Sequence, residues 1–188
     1  MSEVRDVVVL VGSLRKGSFS RKLAHALAGV APPELKLEIV EIRSLPLYDP
    51  DLESPPPSEW TAFRDRVRIG HAVLFVTPEY NRSVPAALKN ALDVGSRPHG
   101  HNVWGGKPGA VVSTSPGQIS GFGANHHLRQ SLTYLNVLAM QQPEAYIGGV
   151  DKLLDEQGQL TNDSTREFLR RFMHAFAAWI TRLGVPGA

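Results

Sequence analysis

The chain has 188 residues, of which 42% are hydrophobic, and it contains no cysteine. This composition excludes disulfides, thiolate metal sites and cysteine nucleophiles, and the net charge of +2 from dispersed basic residues argues against a nucleic-acid surface. No signal peptide opens the chain, and no apolar run approaches the ~20 residues that span a bilayer. We therefore expect one domain over residues 1–188, in the cytoplasm and without a membrane partner.

The first half of the chain predicts strands that alternate with helices. Asp6–Gly12 is a continuous apolar run, typical of a strand buried on both faces, and apolar residues at helical spacing follow in Ser18–Val30. Alternating apolar and charged residues in Leu35–Ile42 indicate a strand near a sheet edge. The segment 44–57, rich in proline and aspartate, predicts a long ordered loop, after which Ser58 is expected to cap a second helix.

The second half repeats this pattern, with two further apolar strands, two helices, a short last strand in one of two places and a long final helix capped by Ser164. In chain order the predicted segments are Ala72–Thr77, a helix that starts at Pro85, Gly109–Ser115, the helix Ala124–Asn136, a strand at either Leu138–Met140 or Tyr146–Ile147, and the helix that ends at Leu183. The strict alternation predicts a parallel sheet with helices on both faces.

Three unusual loops leave the carboxyl ends of predicted strands, namely Gly12–Ser20, Pro78–Ser83 and Ser115–Gly121. Ligands of open parallel sheets bind at this edge, where the strand order reverses. The first loop is rich in hydroxyls but has neither the Walker pattern nor G-x-G-x-x-G, so it suits the terminal phosphate of a mononucleotide. An ordinary strand-to-helix turn with a serine cap is the alternative interpretation.

The other two loops are ambiguous when each is taken alone. Amides around Asn81 could address the polar edge of a flat heterocycle, and Gly117 permits close backbone approach to a ligand. An ordinary turn before a helix explains the second loop equally well, and a flexible crossover loop explains the third equally well. No metal site is expected, because the neighbouring His126 and His127 point to different faces of a predicted helix.

Together the loops resemble those of the NADPH-dependent FMN reductase family, a flavodoxin-like group that includes bacterial chromate and quinone reductases. The resemblance is carried by Gly12–Ser20, by Pro78–Pro85 (PEYNRSVP), by Leu88–Asp93 (LKNALD) and by the loop at Ser115. It implies a flavodoxin-like three-layer α/β sandwich, with a five-stranded parallel sheet of order 2-1-3-4-5 and helices on both faces.

The resemblance also implies a set of cofactor-binding residues, which come from all three loops. They are Ser13, Arg15, Ser18 and Ser20 for the FMN phosphate, Pro78, Glu79, Tyr80 and Asn81 for the isoalloxazine ring, largely through backbone groups, and Ser115 and Gly117 from the third loop.

The activity implied by the resemblance is hydride transfer from NADPH or NADH to bound FMN and on to a quinone-like acceptor, with chromate, azo compounds or free flavin as further acceptors. No catalytic residue is expected, because the flavin carries the chemistry. Family members are commonly homodimers or homotetramers. A flavodoxin-type electron carrier and a flavin-bound redox sensor, both without significant NAD(P)H turnover, stay open as alternatives.

Overall fold

The computed structural model describes residues 4–184. Within them one parallel sheet has the order β2-β1-β3-β4-β5, with β6 paired to β4. The strands are β1 (Arg5–Val11), β2 (Leu35–Ile39), β3 (Ala72–Thr77), β4 (Pro108–Ser115), β5 (Leu138–Ala139) and β6 (Ala145–Gly148). The predicted strand order is confirmed, and a sixth strand is added to the five that were expected.

The extra strand arises because both places considered for the last strand are occupied. β5 pairs with the start of β4, where Gly109 faces Ala139, and β6 pairs with its end, where Val112 faces Ala145. Pro143 lies between the two short strands and has no N–H to donate to a sheet, which favours an interruption there.

Helices cover both faces of the sheet. They are α1 (Phe19–Val30), α2 (Ser58–Ile69), α3 (Ala86–Gly95), α4 (Phe122–Tyr134), α5 (Val150–Leu153) and α6 (Asp163–Leu183). Successive strand residues point to opposite faces, so Val7 and Val9 join the core under α1 and α6, whereas Val8 and Leu10 join the core under α2, α3 and α4. None of the helices described is long and apolar enough to cross a membrane.

Two expectations about helix caps are wrong. Ser58 is the first residue of α2, and Pro57 at the cap position makes no side-chain hydrogen bond to the helix. α6 is capped by Asn162, whose side-chain oxygen accepts the N–H of Thr165 at 2.9 Å, and Ser164 donates its hydroxyl to the same oxygen. Asparagine and serine are equally good caps, so composition does not separate neighbouring candidates.

The loop 44–57 is ordered because buried polar side chains hold it. Asn90 of α3 accepts the N–H of Tyr48 at 2.8 Å. Arg64 of α2 is 5% exposed and donates two hydrogen bonds to Glu53, at 3.1 and 2.6 Å. These contacts tie the loop to both helices and explain how a segment whose only regular element is one 3-10 turn, Pro50–Leu52, keeps one path.

Lys107 is a buried cation at the end of the sheet where the strands begin. It is 6% exposed, and its Nζ donates to the carbonyls of Arg68 and Gly70, at 3.0 and 2.5 Å. Burial, and secondarily the charge of Arg68, lowers the pKa of Lys107 to about 8 from 10.5.

This depressed pKa predicts a pH-dependent contribution to stability. The unfolded chain keeps the ordinary lysine pKa, so between about pH 8 and 10.5 it binds more protons than the folded protein, and the free energy of unfolding rises with pH. Relative to Lys107→Met, the wild type should gain at least about 1 kcal/mol across this window, measured by urea unfolding. A difference that does not change with pH would contradict this assignment.

Candidate functional site

The three loops meet in a cleft of about 170 Å³ at the carboxyl edge of β1, β3 and β4. Its lining is Ser13, Arg15, Phe19, Ser20, Pro78, Glu79, Tyr80, Thr114, Ser115, Pro116 and Val150. Seven of the ten residues predicted for the site are therefore brought together there. Ser18, Asn81 and Gly117 belong to the same loops but are not among the lining residues.

Ser18 has a structural task at the start of α1. Its Oγ accepts the N–H of Arg21 at 3.1 Å, and the residue is 1% exposed. The serine cap weighed as an alternative for this loop is thus present, and it exists beside the cleft rather than instead of it.

Unpartnered donors gather where α1 enters the cleft. Ser13 and Ser20 are 4% and 1% exposed, yet within residues 4–184 their hydroxyls have no hydrogen-bond partner. The backbone N–H groups of Phe19 and Ser20 likewise meet no acceptor in the part of the chain described. Because the helix dipole adds positive potential at the same point, the arrangement favours an anion.

Arg15 adds a positive charge at the rim of this pocket. Its guanidinium lies 5.7 Å from the centre of the Phe19 ring, and no carboxylate of residues 4–184 pairs with it. A cation without an ion-pair partner beside free N–H and O–H donors can bind a dianionic phosphate.

The second loop is a tight hairpin turn. Tyr80 and Ser83 exchange both of their backbone hydrogen bonds, at 3.1 and 2.9 Å. Asn81 and Arg82 between them have φ angles of 49° and 64°, as a type I′ turn requires. Asn81 therefore sits at the tip of the turn, which explains its absence from the cleft lining, while the ring of Tyr80 stays half exposed at the mouth.

Hydrogen bonds of serine side chains hold the third loop in place. Ser115 Oγ accepts the N–H of Gly117 at 3.0 Å, and Ser113 donates its hydroxyl to the carbonyl of Ser120 at 2.9 Å. Gly117 is exposed, whereas Thr114 and Ser115 line the cleft.

The structure adds contacts that sequence reasoning missed. Val150, the first residue of α5, lines the cleft, although no signal in its short helix points to a binding site. Glu79 turns its carboxylate onto the start of α4, where Oε2 accepts the N–H of Ala124 at 3.1 Å. Nowhere in residues 4–184 do three metal-ligating side chains cluster so that they could hold a metal ion.

Comparisons with known proteins show the family of the chain. The family model of NADPH-dependent FMN reductases matches residues 5–152. A quinone reductase of Pseudomonas putida is 59% identical over 181 residues, covering 96% of this chain and 97% of that protein. A 2-hydroxy-1,4-benzoquinone reductase of a Burkholderia species is 47% identical over 174 residues, covering 93% and 95%.

The same family likeness appears in solved structures. FerB of Paracoccus denitrificans, a flavoenzyme described as an NAD(P)H:(acceptor) oxidoreductase, superposes with a TM-score of 0.92 at 41% identity, over 97% of this chain and 100% of that one. Fold, sequence identity and family model all point the same way. The chain belongs to the NADPH-dependent FMN reductase family.

Proposed function

We propose that the protein is an FMN-dependent NAD(P)H:quinone oxidoreductase. Its relatives at 59% and 47% identity are named for the reduction of quinones, over more than nine-tenths of both chains. The observation that carries the proposal is the cleft with unpartnered hydrogen-bond donors at the carboxyl edge of β1 and β3. The relatives offer no support for an electron carrier or a redox sensor.

The donors around α1 fit the phosphate of FMN. We assign Ser13, Ser20 and Arg15 to direct contact with it, together with the first N–H groups of the helix. Ser18 serves the same site less directly, because its oxygen already caps the helix. A dianion would accept hydrogen bonds from hydroxyls that have no hydrogen-bond partner in residues 4–184, which is the strongest sign that the group fits.

The second and third loops would hold the ring system of FMN. Pro78, Glu79, Tyr80 and Ser115 line the cleft, and Asn81 and Gly117 belong to the turns of the same two loops. The cleft of about 170 Å³ is smaller than typical small-molecule pockets, whose volumes are roughly 300–1,000 Å³. We propose that a second subunit completes it, in a homodimer or homotetramer.

Bound FMN would supply the redox chemistry, which is to accept a hydride from NADPH or NADH and pass it to the electron acceptor. The protein positions the cofactor and needs no catalytic acid or base of its own for this transfer. An open cleft also admits other acceptors, and we propose that chromate, azo compounds and free flavin are reduced besides quinones. The protein would act as one domain in the cytoplasm, where NADPH and NADH are available.

The purified protein should be yellow, bind one FMN per chain and oxidise NADPH or NADH when a quinone is added. Steady-state rates with both nicotinamides and a panel of acceptors would identify the preferred pair. A protein that takes up no FMN on titration would overturn the proposal. A stopped-flow trace in which NAD(P)H fails to bleach the bound flavin would favour the electron carrier instead.

A further inference from the structure

Glu79 joins two of the loops that form the cleft. We propose that it is a positioning residue for the FMN site, whose carboxylate caps α4 and so fixes the second loop against the third. This inference rests on the proposed function, because it concerns how the same site is held in shape.

The start of α4 lacks a side-chain cap of its own. Its N-cap residue is Gly121, and no side chain of that residue can accept a helical N–H. The N–H of Phe122 bonds to the carbonyl of Ile119, and that of Ala124, the third helical residue, bonds to Glu79 Oε2 at 3.1 Å. The third N–H is one of those that an N-cap side chain ordinarily accepts, so Glu79 takes over this task from 45 residues away.

Close packing shows that the hairpin lies directly on this helix. A Cβ on Gly123 would stand 2.8 Å from the carbonyl oxygen of Arg82 and 3.0 Å from Glu79 Oε2, so the approach requires glycine. A second link follows one turn later, where Ser83 Oγ and His127 Nδ1 lie 3.0 Å apart. Helix and hairpin are thus joined at two points, and only the Glu79 contact carries a charge to the helix N-terminus.

The position of Glu79 relates this cap to the cleft. Its side chain is 13% exposed, and its chain neighbours Pro78 and Tyr80 both line the cleft. Gly121 ends the third loop just before α4 begins, so a fixed helix start also fixes the end of that loop. Loss of the carboxylate would leave the N–H of Ala124 without a partner and would allow the second and third loops to move apart.

Three variants test this role through the FMN fluorescence released when purified holoprotein is diluted. Glu79→Ala should raise the dissociation constant of FMN at least tenfold. Glu79→Gln retains an oxygen that can accept the N–H of Ala124, so its affinity should stay within about threefold of the wild type. Ser83→Ala, the matched control, cuts the other link of the same hairpin and should change affinity less than Glu79→Ala.

A fourth variant keeps the test valid if Glu79→Ala folds poorly. Gly123→Ala improves intrinsic helix propensity but places a methyl group between hairpin and helix, so it should weaken FMN binding at least tenfold without lowering the content of helix measured by circular dichroism.

The outcomes separate the two proposals. Unchanged FMN affinity in Glu79→Ala, or a Glu79→Gln variant that binds no better than Glu79→Ala, overturns the positioning role alone. A wild-type protein that binds no FMN overturns the proposed function and this inference with it. Rescue by glutamine supports the role, because a purely electrostatic effect of the carboxylate would be lost equally in Gln and Ala.

Discussion

Replacement of Ser20 by alanine is expected to weaken FMN binding by about 10- to 100-fold. The residue is 1% exposed and borders the cleft, and its hydroxyl has no partner in residues 4–184, so the variant removes a donor that we assign to the FMN phosphate. A hydrogen bond to a charged group contributes roughly 1.5–3 kcal/mol, and about 1.4 kcal/mol corresponds to a tenfold change in affinity. Titration of the apoprotein with FMN, followed by flavin fluorescence, measures the change.

The neighbouring cations provide the control for this experiment. Arg15 lines the cleft, whereas Lys16 is exposed and is absent from the lining. Arg15→Ala should therefore weaken binding more than Lys16→Ala, although both remove one positive charge. Equal losses of FMN affinity in the two variants would mean that Arg15 attracts the phosphate only through its long-range charge, as Lys16 does, and not through direct contact. Unchanged affinity in both Ser20→Ala and Arg15→Ala would place the phosphate elsewhere.

Truncation of Trp104 should have the largest effect on stability. The side chain is fully buried, packs against Phe63 and Phe75 at ring distances of 6.0 and 6.1 Å, and donates its indole N–H to the carbonyl of Leu92 at 3.0 Å. Trp104→Ala should lower the free energy of unfolding by about 3–5 kcal/mol, because it leaves a cavity in the core and removes the indole hydrogen bond to Leu92. Urea unfolding followed by circular dichroism provides the measurement.

Two further variants test whether the stability of the fold depends on the packing around Trp104. Gly95→Ala places a Cβ 2.5 Å from the Trp104 ring and should destabilise the fold by about 1–3 kcal/mol through overpacking. Tyr134→Ala removes an aromatic side chain that is 88% exposed, so its effect should stay within about 0.5 kcal/mol. A Trp104→Ala protein as stable as Tyr134→Ala would show that the core is not organised around the indole.

Much of the fold follows from local patterns. The central residues of β1, β3 and β4 are apolar because each strand has a helix layer on both faces, and the alternation of such strands with helices predicts a parallel sheet. The edge positions were harder to predict. β5 has only two residues. Its pairing with β4 depends on the position in which the loop after α4 places it, and not on its own composition.

The sequence predicts which loops form the candidate site, but it does not predict what each side chain contacts there. Hydroxyls and glycines at strand ends indicated the segments that line the cleft, because parallel strands bring these ends together. Glu79 was expected beside the flavin through its backbone, yet its carboxylate meets a helix start that is distant in the sequence. Val150 reaches the cleft only because α5 follows β6, a contact that no local pattern indicates.

The outer edge of β4 is paired with two short strands, β5 and β6, instead of one long strand, and this limits how the sheet could pair with another chain. β5 and β6 are two and four residues long, and the opposite edge, β2, has five residues with Lys36 and Glu38 among them. Short strands and charged side chains give an incoming strand little to pair with. Within residues 4–184, neither border of the sheet therefore offers a long apolar strand with which the backbone of another chain could pair.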